Sequence, residues 1–388
     1  MSLSKSLRRL PGRIGRGGLV VAAVGVLGLL QAAHAEEFKV GAIASLTGPA
    51  AGFSKDYADG MKAYVDAWNA RGGINGQKVG FQLVDDETNP VNAVNLYRQL
   101  STDPTIKVVW FGGSSNSGMA MKALASELKV PVVSGGGLDK LGLPADPYFF
   151  KIVPGTKDFM ARVVGWAKAN NMKRIATINA TDAYGQSEAG YFKDLGKAAG
   201  LTVVAAETFT LTDTNFNVQL TKIRNAKPDM VYNGGTGTPG LLIFKQYKQL
   251  GITTPLVVSQ AAINKAFFDG VGDKALVEGM LTPTNRSQLG AALSGESGKM
   301  YKQLSDTIGR PGTLMNAFGW DSGIITEWAI KNSDGTRDGI RAALDKAKDV
   351  GGINGPLSFT PDNHIGQDHR GIVMMKYSGG RFVSVEKD

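Results

Sequence analysis

The 388-residue sequence contains no cysteine and only three histidines, and both scarcities exclude classes of chemistry. Without cysteine the chain forms no disulfide, no thiolate nucleophile and no cysteine–metal site. A serine–histidine–aspartate triad would need His364 or His369, and no G-x-S-x-G motif accompanies them. These two histidines, beside Asp362 and Asp368, could bind a metal ion, but we interpret them as exposed residues of a turn-rich segment. We therefore expect no catalytic residues and no metal.

The sequence also lacks the usual motifs for binding nucleotides or nucleic acids. No GxxxxGK[ST] motif occurs, and "GGTGTPG" at 234–240 lacks the full glycine spacing of a dinucleotide fingerprint. We interpret this stretch as a loop that faces a ligand, and we expect no cofactor. No basic stripe with interleaved aromatic residues is present, so we expect no nucleic-acid partner.

The N-terminus has the pattern of a secretory signal. Residues 1–35 carry five basic residues and no acidic one, an apolar run at 19–30, and the small-x-small sequence Ala33-His34-Ala35. We predict a signal peptide at 1–35 and a periplasmic protein, exported by the Sec or the twin-arginine route. The alternative is a retained anchor, although the run is shorter than the roughly 20 residues of a spanning helix. The remainder holds 38 basic and 34 acidic residues, a net charge of +4.

Strand-like and helix-like segments alternate along the rest of the chain. For example, "IKVVWFGG" precedes "SGMAMKALASELK", and "VPVVSGG" follows. The pattern restarts after about residue 155. Strands that are apolar along their whole length predict parallel sheets covered by helices on both faces. The pentapeptide GGING occurs at 72–76 and at 351–355, each time after a helix, and predicts a turn.

A cluster of small polar residues follows the strand that ends near Gly113. Ser114, Ser115, Asn116 and Ser117 lie where the next helix should begin. In an open parallel sheet, ligands bind beyond the carboxyl ends of the strands, where helices present unpaired N–H groups. The cluster therefore predicts a site for an anion such as a carboxylate. An ordinary helix cap is the alternative, since serine and asparagine are preferred caps.

Seven segments in order resemble one family. They are "IASLTGPAAGFSKDYADGMKAYVDAWNARGGINGQKV", "LVDDETNPVNAV", the serine cluster, "VPVVSGGG", "DAYGQSEAGYFKDLGKAAG", "VYNGG" with the later "QLGI", and "AFGWDSG". Together they resemble the periplasmic solute-binding proteins of branched-chain amino acid-type ABC importers, the Leu/Ile/Val-binding family with the type I periplasmic binding fold.

This resemblance implies an α/β fold of two doubly wound parallel-sheet lobes joined by three crossovers. Lobe 1 would comprise 36–154 and 284–357, and lobe 2 would comprise 155–283 and 358–388. It also implies hinge closure around a ligand, the membrane permease subunits of an ABC transporter as partners, and a monomer.

The resemblance also carries over ligand contacts residue by residue. A carboxylate would be held by Ser115, with Ser114 and Asn116 beside it. The loop after "VPVVS" would contribute Gly136 and Gly137, and loops in both lobes would contribute Phe53, Tyr184 and Thr236. Trp110 and Trp320 are further aromatic candidates for the site, with a core position favoured for Trp110.

Two departures from the family bear on the ligand. Amino-acid binders of this family place a hydroxyl residue after the glycine loop, where this chain has Leu138, or Asp139 in the alternative register. They also pair the ligand ammonium with an acid from lobe 2, where this chain has Gln260. A buried ammonium without a carboxylate partner is costly. We therefore predict a small aromatic or hydrophobic carboxylic acid without an α-ammonium, with a branched-chain amino acid as the alternative.

The motifs and the family resemblance leave three classes of function. The preferred one is a solute-binding component of an ABC importer that performs no chemistry. The second is a ligand sensor for a membrane receptor, since one fold serves both roles. The third, a secreted hydrolase, lacks a triad and a metal set in the sequence.

Overall fold

The computed structural model describes residues 38–263 and 265–385, so the predicted signal peptide lies outside the described residues. The strands are β1 Lys39–Ala44, β2 Gly80–Asp85, β3 Ile106–Gly112, β4 Val132–Ser134, β5 Phe149–Lys151, β6 Arg174–Ala180, β7 Thr202–Phe209, β8 Met230–Gly234, β9 Leu256–Val258, β10 Leu281–Asn285, β11 Val350–Gly351, β12 Pro356–Leu357, β13 Ile372–Ser378 and β14 Arg381–Ser384. The helices are α1 Ala51–Ala70, α2 Pro90–Ser101, α3 Ser115–Leu128, α4 Thr156–Ala169, α5 Ala183–Ala198, α6 Asn217–Asn225, α7 Gly237–Gln249, α8 Lys265–Val271, α9 Gly295–Ile308, α10 Leu314–Lys331 and α11 Arg337–Leu344.

The first sheet has five parallel strands in the order β2-β1-β3-β4-β5. Its central strands are buried on both faces, which explains their continuous apolar sequences. Side chains of α1, α10 and α11 form the core on one face, and those of α2 and α3 form it on the other. Because β1 lies between β2 and β3, the order reverses there and leaves a crevice at the carboxyl ends of β1 and β3.

Helix α10 lies against α1 because glycines remove side chains at their crossing. A Cβ atom at Gly60 would lie 2.0 Å from the carbonyl oxygen of Asn316, and one at Gly319 would lie 2.2 Å from that of Tyr57. Both distances are far below van der Waals contact, so the two backbones approach this closely only with glycine. This packing carries the N-terminal turn of α10 to the carboxyl end of the first sheet.

The second sheet has seven strands in the order β14-β13-β10-β9-β8-β6-β7. The strands from β6 to β10 are parallel, whereas β13 pairs antiparallel with β10 and with β14. Helices α4 and α5 cover one face, and α6, α7 and α8 cover the other. The strand order reverses at β6, which opens a second crevice at the carboxyl ends of β6 and β8.

The chain passes between the two sheets three times: after β5, after β10 and between β12 and β13. The buried Lys151 supports the first passage, since its Nζ donates hydrogen bonds of 2.6 Å to the carbonyl oxygens of Val153 and Pro154. Burial lowers the pKa of Lys151 to about 8, and the nearby Asp139 and Asp158 partly oppose this effect. The predicted α/β fold with two doubly wound sheets and three crossovers is confirmed.

The two GGING segments have different environments. The first is a turn with Asn75 exposed, closed by a backbone bridge between Ile74 and Gln77. The second is buried, and its backbone N–H groups at Ile353 and Asn354 donate to the two carboxylate oxygens of Asp321. The second copy therefore binds a buried carboxylate on α10 in addition to forming a turn.

No helix within 38–263 and 265–385 combines the length and the apolar character needed to cross a membrane.

Candidate functional site

A cavity of about 300 Å³ lies at the carboxyl ends of strands from both sheets, next to both crevices. It is lined by Pro49, Ala50, Phe53, Thr88, Pro90, Gly113, Ser114, Ser115, Asn116, Gly135, Gly137, Val153, Phe159, Asp182, Tyr184, Leu211, Thr236, Gln260, Ala261, Leu314, Met315 and Phe318. Eight of the nine predicted site residues are among them: Phe53, Ser114, Ser115, Asn116, Gly137, Tyr184, Thr236 and Gln260.

The start of α3 forms the polar part of the first-sheet wall. Ser114 caps the helix, because its hydroxyl accepts a hydrogen bond of 3.1 Å from the N–H of Ser117. Within the described part of the chain, the N–H groups of Ser115 and Asn116 and the hydroxyl of Ser115 have no hydrogen-bond partner. The wall therefore presents three free donors at the positive end of a 14-residue helix.

The glycine loop after β4 differs in detail from its prediction. Gly135 and Gly137 line the cavity, whereas Gly136 is buried between them and does not. A Cβ atom at Gly136 would lie 2.3 Å from the side chain of Leu141, which occupies the space behind the loop. A Cβ atom at Gly137 would lie 2.9 Å from the ring of Tyr184, so this loop and α5 are in close contact across the cavity.

The middle of the cavity is apolar. The predicted Phe53 contributes from the first turn of α1, and Leu314, Met315 and Phe318 contribute from the first turns of α10. Sequence reasoning missed the α10 residues, although Leu314 and Met315 precede Phe318 by four and three residues, the spacings that place side chains on one helical face.

Trp110 and Trp320 do not line the cavity. Both are buried in the core between the first sheet, α1 and α10. The indole N–H of Trp110 donates to the hydroxyl of Thr326, and the ring of Trp320 packs edge-on against Tyr64. The core position favoured for Trp110 is thus observed, and Trp320 as a site aromatic is wrong.

The second-sheet wall is formed by the loops after β6, β8 and β9, which contribute Tyr184, Thr236 and Gln260. The amide nitrogen of Gln260 donates a hydrogen bond of 2.6 Å to the hydroxyl oxygen of Tyr184. Both side chains are more than nine-tenths buried, and burial raises the pKa of Tyr184 well above its usual value. Gln260 and Tyr184 are therefore bonded to each other, whereas Thr236, at the start of α7, makes no capping hydrogen bond.

Asp182 is the one charged residue among those that line the cavity, and the sequence reasoning did not select it. Its Oδ1 accepts a hydrogen bond of 2.8 Å from the N–H of Gly185, so the carboxylate caps α5. The two positions considered for an ammonium-binding group lie elsewhere. Leu138 is buried in the core between the first sheet, α2 and α3. Asp139 caps α4 by accepting hydrogen bonds from the N–H groups of Thr156 and Lys157.

This arrangement suits binding rather than catalysis. Free donors at one helix start can hold an anion, and the apolar residues beside them can cover a hydrophobic body. Among residues 38–263 and 265–385, no three histidine, cysteine or acidic side chains cluster closely enough to hold a metal ion. The interpretation of both histidines as exposed is wrong for His364, which is buried with its ring nitrogens 3.0 Å from the carbonyl oxygen of Phe149 and 2.9 Å from Asp345, whereas His369 is exposed.

Comparison with known families decides the class of protein. The profile of the family described as periplasmic binding protein matches residues 37–381. The chain belongs to the periplasmic binding protein family. A curated member, the Leu/Ile/Val-binding protein BraC3 of Rhizobium johnstonii, is 31% identical over 258 residues, covering 64% of this chain and 68% of that protein. The predicted membership in this family is confirmed.

Solved structures of other binding proteins share the fold. A leucine-binding protein from Thermotoga maritima superposes with a TM-score of 0.79 at 20% identity, covering 90% of this chain and 98% of its own. A solute-binding protein of an ABC transporter from R. palustris, solved in complex with benzoate, has a TM-score of 0.78 at 22% identity, covering 90% of this chain and 95% of its own. These relatives are named as binding proteins, and the one from R. palustris is described as the solute-binding protein of an ABC transporter.

Proposed function

We propose that this periplasmic binding protein captures a small aromatic or hydrophobic carboxylic acid and delivers it to an ABC importer. The proposal depends on a difference between the two walls of the cavity in how many hydrogen-bond donors are free. Three donors at the start of α3 are free, while Gln260 and Tyr184 on the opposite wall are bonded to each other. A carboxylate at Ser115 gains charge-assisted hydrogen bonds there.

The rest of the cavity supports a hydrophobic ligand body. The apolar side chains of Phe53, Phe159, Leu314 and Phe318 lie around it. The R. palustris protein that holds benzoate has the same fold, which indicates that a fold of this kind can accommodate an aromatic acid.

A branched-chain amino acid is the second candidate ligand. The names of curated relatives such as the Leu/Ile/Val-binding protein BraC3 favour it, and so does Asp182, whose carboxylate reaches the cavity. Asp182 already accepts the hydrogen bond that caps α5, and its negative charge is partly balanced by that helix start. For this reason we place the acid without an ammonium first.

A thermal-shift screen with benzoate, phenylacetate, L-phenylalanine and L-leucine separates the two candidates. At a ligand concentration about 100-fold above its dissociation constant, binding should stabilise the protein by about 2.7 kcal/mol, a rise of a few degrees. We expect this rise with benzoate or phenylacetate and none with the two amino acids. A rise confined to the amino acids would replace our ligand with the second candidate.

The substitution Ser115→Ala tests the carboxylate position directly. It removes one donor and should weaken the acid that binds in the screen by about 1–3 kcal/mol, measured by titration calorimetry. Ser294→Ala is the matched control, because Ser294 is exposed before α9 and makes no capping hydrogen bond. If both variants bind like the wild type, Ser115 does not hold the carboxylate.

We also propose that the two sheets belong to two hinged lobes, 36–154 with 284–357 and 155–283 with 358–388, which close on the solute. The three passages between the sheets support this division. Because β10 pairs with β9 and β13, a boundary after Asn285 rather than at residue 284 keeps that strand with its sheet. Phe359 packs in the core of the first sheet and Ile365 pairs with Lys151 of β5, so the last boundary fits better after Gly366 than at residue 358. Small-angle scattering should report a more compact, monomeric particle when the solute is added.

Uptake and sensing can be separated in cells. We propose a periplasmic protein with a cleaved signal peptide at 1–35 that docks on permease subunits. Deleting its gene should then abolish uptake of the radiolabelled acid. Unchanged uptake, together with loss of a behavioural or transcriptional response to the acid, would favour a sensor.

A further inference from the structure

Glu188 is a fully buried carboxyl that lies behind the second-sheet wall and does not line the cavity. It is on α5, one helical turn after Tyr184. Its Oε1 accepts two hydrogen bonds, of 2.7 Å from the hydroxyl of Tyr232 on β8 and of 2.8 Å from the hydroxyl of Ser259 after β9. This single oxygen therefore links three separate elements of the second lobe.

Ser259 connects Glu188 to the cavity surface. Its side chain caps the short 3-10 helix Gln260–Ala262, accepting a hydrogen bond of 3.3 Å from the N–H of Ala261. Gln260 in turn donates to the hydroxyl of Tyr184, on the same helix as Glu188. The contacts run from Glu188 through Ser259 and Gln260 to Tyr184, so these contacts fix Gln260 and Tyr184 from the side away from the cavity.

The second carboxyl oxygen of Glu188 lies close to Gly234, as does the amide of Asn179, and within the described residues neither group has a hydrogen-bond partner. A Cβ atom at Gly234 would lie 2.1 Å from the amide nitrogen of Asn179 and 2.8 Å from Oε2 of Glu188, so both groups occupy the space above this glycine. A glutamine at position 188 has the same shape and could accept the same hydrogen bonds through its carbonyl oxygen.

The surroundings of Glu188 favour its neutral form. Burial raises its pKa to about 7, and the hydrogen bonds from Tyr232 and Ser259 limit that rise. The titratable groups around it are Tyr232 on β8, Tyr184 on its own helix and Asp182 at the helix start, whose charge adds to the rise. Among the described residues, no lysine or arginine forms a salt bridge with Glu188.

We propose that Glu188 is a positioning residue that acts as a neutral acid, holding Tyr184 and Gln260 at the cavity without adding a charge behind them. This inference rests on the proposed function, in which that wall contacts the solute. Glu188 therefore does not pair with a ligand ammonium. Its ionisation weakens solute binding, because it places an unpaired charge behind the wall.

The test compares the wild type with Glu188→Gln and with the matched control Glu296→Gln, an exposed residue on α9. Thermal unfolding is measured from pH 5 to pH 9 without ligand. A carboxyl with a raised pKa binds more protons in the folded state than in the unfolded state, so the stability it provides is lost as the pH rises from about 4.5 to about 7. We expect this loss in the wild type and in Glu296→Gln, and a clearly smaller loss in Glu188→Gln, in which the buried Asp321, whose pKa burial also raises to about 7, still contributes.

Ligand binding gives the second readout, with benzoate and L-leucine as probes. If the bound form excludes ionised Glu188, wild-type affinity at pH 8.5 should be about 30-fold below that at pH 5.5, since its pKa is about 7. Glu188→Gln should bind like the wild type at pH 5.5 and lose less than about threefold at pH 8.5.

Each outcome decides a specific point. Coincident unfolding profiles of the wild type and Glu188→Gln would overturn the inference, whether or not a probe binds. A well-folded Glu188→Gln that loses all binding at pH 5.5 would overturn it too, because the charge would then be required. If neither probe binds, the proposed ligand class fails, and the unfolding profiles still decide the role of Glu188.

Discussion

Helices α3 and α5 both begin at the cavity, one from each sheet, and their first turns differ in charge. Helix α3 is capped by the neutral hydroxyl of Ser114, and the next two N–H groups are free among the described residues. Helix α5 is capped by the carboxylate of Asp182, which offsets the positive end of that helix. Of these two helix starts, the one at α3 therefore attracts an incoming carboxylate and the one at α5 is neutralised.

This difference explains how one cavity can orient a ligand without a formal cation in its lining. The anionic end is drawn to the first sheet, and the remainder lies against apolar residues and the Gln260–Tyr184 pair. Exchanging the charges at the two helix starts, or charging the neutral pair, should weaken or reverse this orientation.

The largest effect is expected from Ser115→Asp, which places a carboxylate where the ligand carboxylate should lie. Like charges in contact cost several kcal/mol, so benzoate affinity should fall at least about 100-fold by calorimetry. Aspartate is favourable in the first turn of a helix, so the unfolding temperature should not fall. The control Ser294→Asp should bind benzoate normally, and tight binding by Ser115→Asp would exclude this carboxylate position.

Gln260→Glu should have the next largest effect, since it adds a second carboxylate to the second-sheet wall beside Asp182. We expect about a tenfold loss of benzoate affinity and a gain for L-phenylalanine, whose ammonium would acquire a partner. Competition calorimetry with both ligands measures the change in preference. Gln303→Glu, at an exposed position on α9, controls for added charge. An unchanged preference would mean that Gln260 does not contact the part of the ligand that distinguishes them.

A smaller effect is expected from Tyr184→Phe, which leaves the amide of Gln260 without its acceptor. The loss of this buried hydrogen bond should lower the free energy of unfolding by about 1–2 kcal/mol and benzoate affinity by a few-fold. Tyr301→Phe removes a comparable hydroxyl that donates to the carbonyl of Gly312 away from the cavity. Tyr301→Phe should lower the free energy of unfolding by a similar amount and leave benzoate affinity unchanged. The comparison separates the loss of stability from the loss of binding.

The smallest effect is expected from Asp182→Asn, which removes the negative charge but keeps a good helix cap. Benzoate should bind about two- to fivefold more tightly, because a charge at a helix start typically contributes about 0.3–1 kcal/mol. Asp273→Asn, which changes another capping aspartate, is the control. If the wild type prefers L-leucine and Asp182→Asn binds it more weakly, the amino-acid alternative is supported.

Much of the site could be predicted because it is local in sequence. The apolar run of β3 followed by Ser114 and Ser115 predicts a strand, a helix cap and free donors within a few residues. The predicted site residues after β1, β3, β6, β8 and β9 line one cavity for the same reason: parallel strands bring their carboxyl ends to one edge.

Other features depend on distant residues and were not predictable in this way. Gly136 faces Leu141 instead of the cavity, and Trp320 faces Tyr64. The direction of each side chain is set by which element packs behind it. Glu188 looks like an ordinary surface residue of a helix in the sequence. It is buried because Tyr232 and Ser259, 44 and 71 residues further along the chain, lie against it.

The sequence by itself determined the alternation of strands and helices, the family and the chemistry of the α3 turn, because these depend on neighbouring residues. The tertiary structure alone decided what the identical GGING segments do. The copy at 72–76 lies at the surface, whereas the copy at 351–355 meets α10 and donates its N–H groups to Asp321. The same local chain thus forms a turn in both places, and the buried carboxylate that approaches one of them gives it a second role.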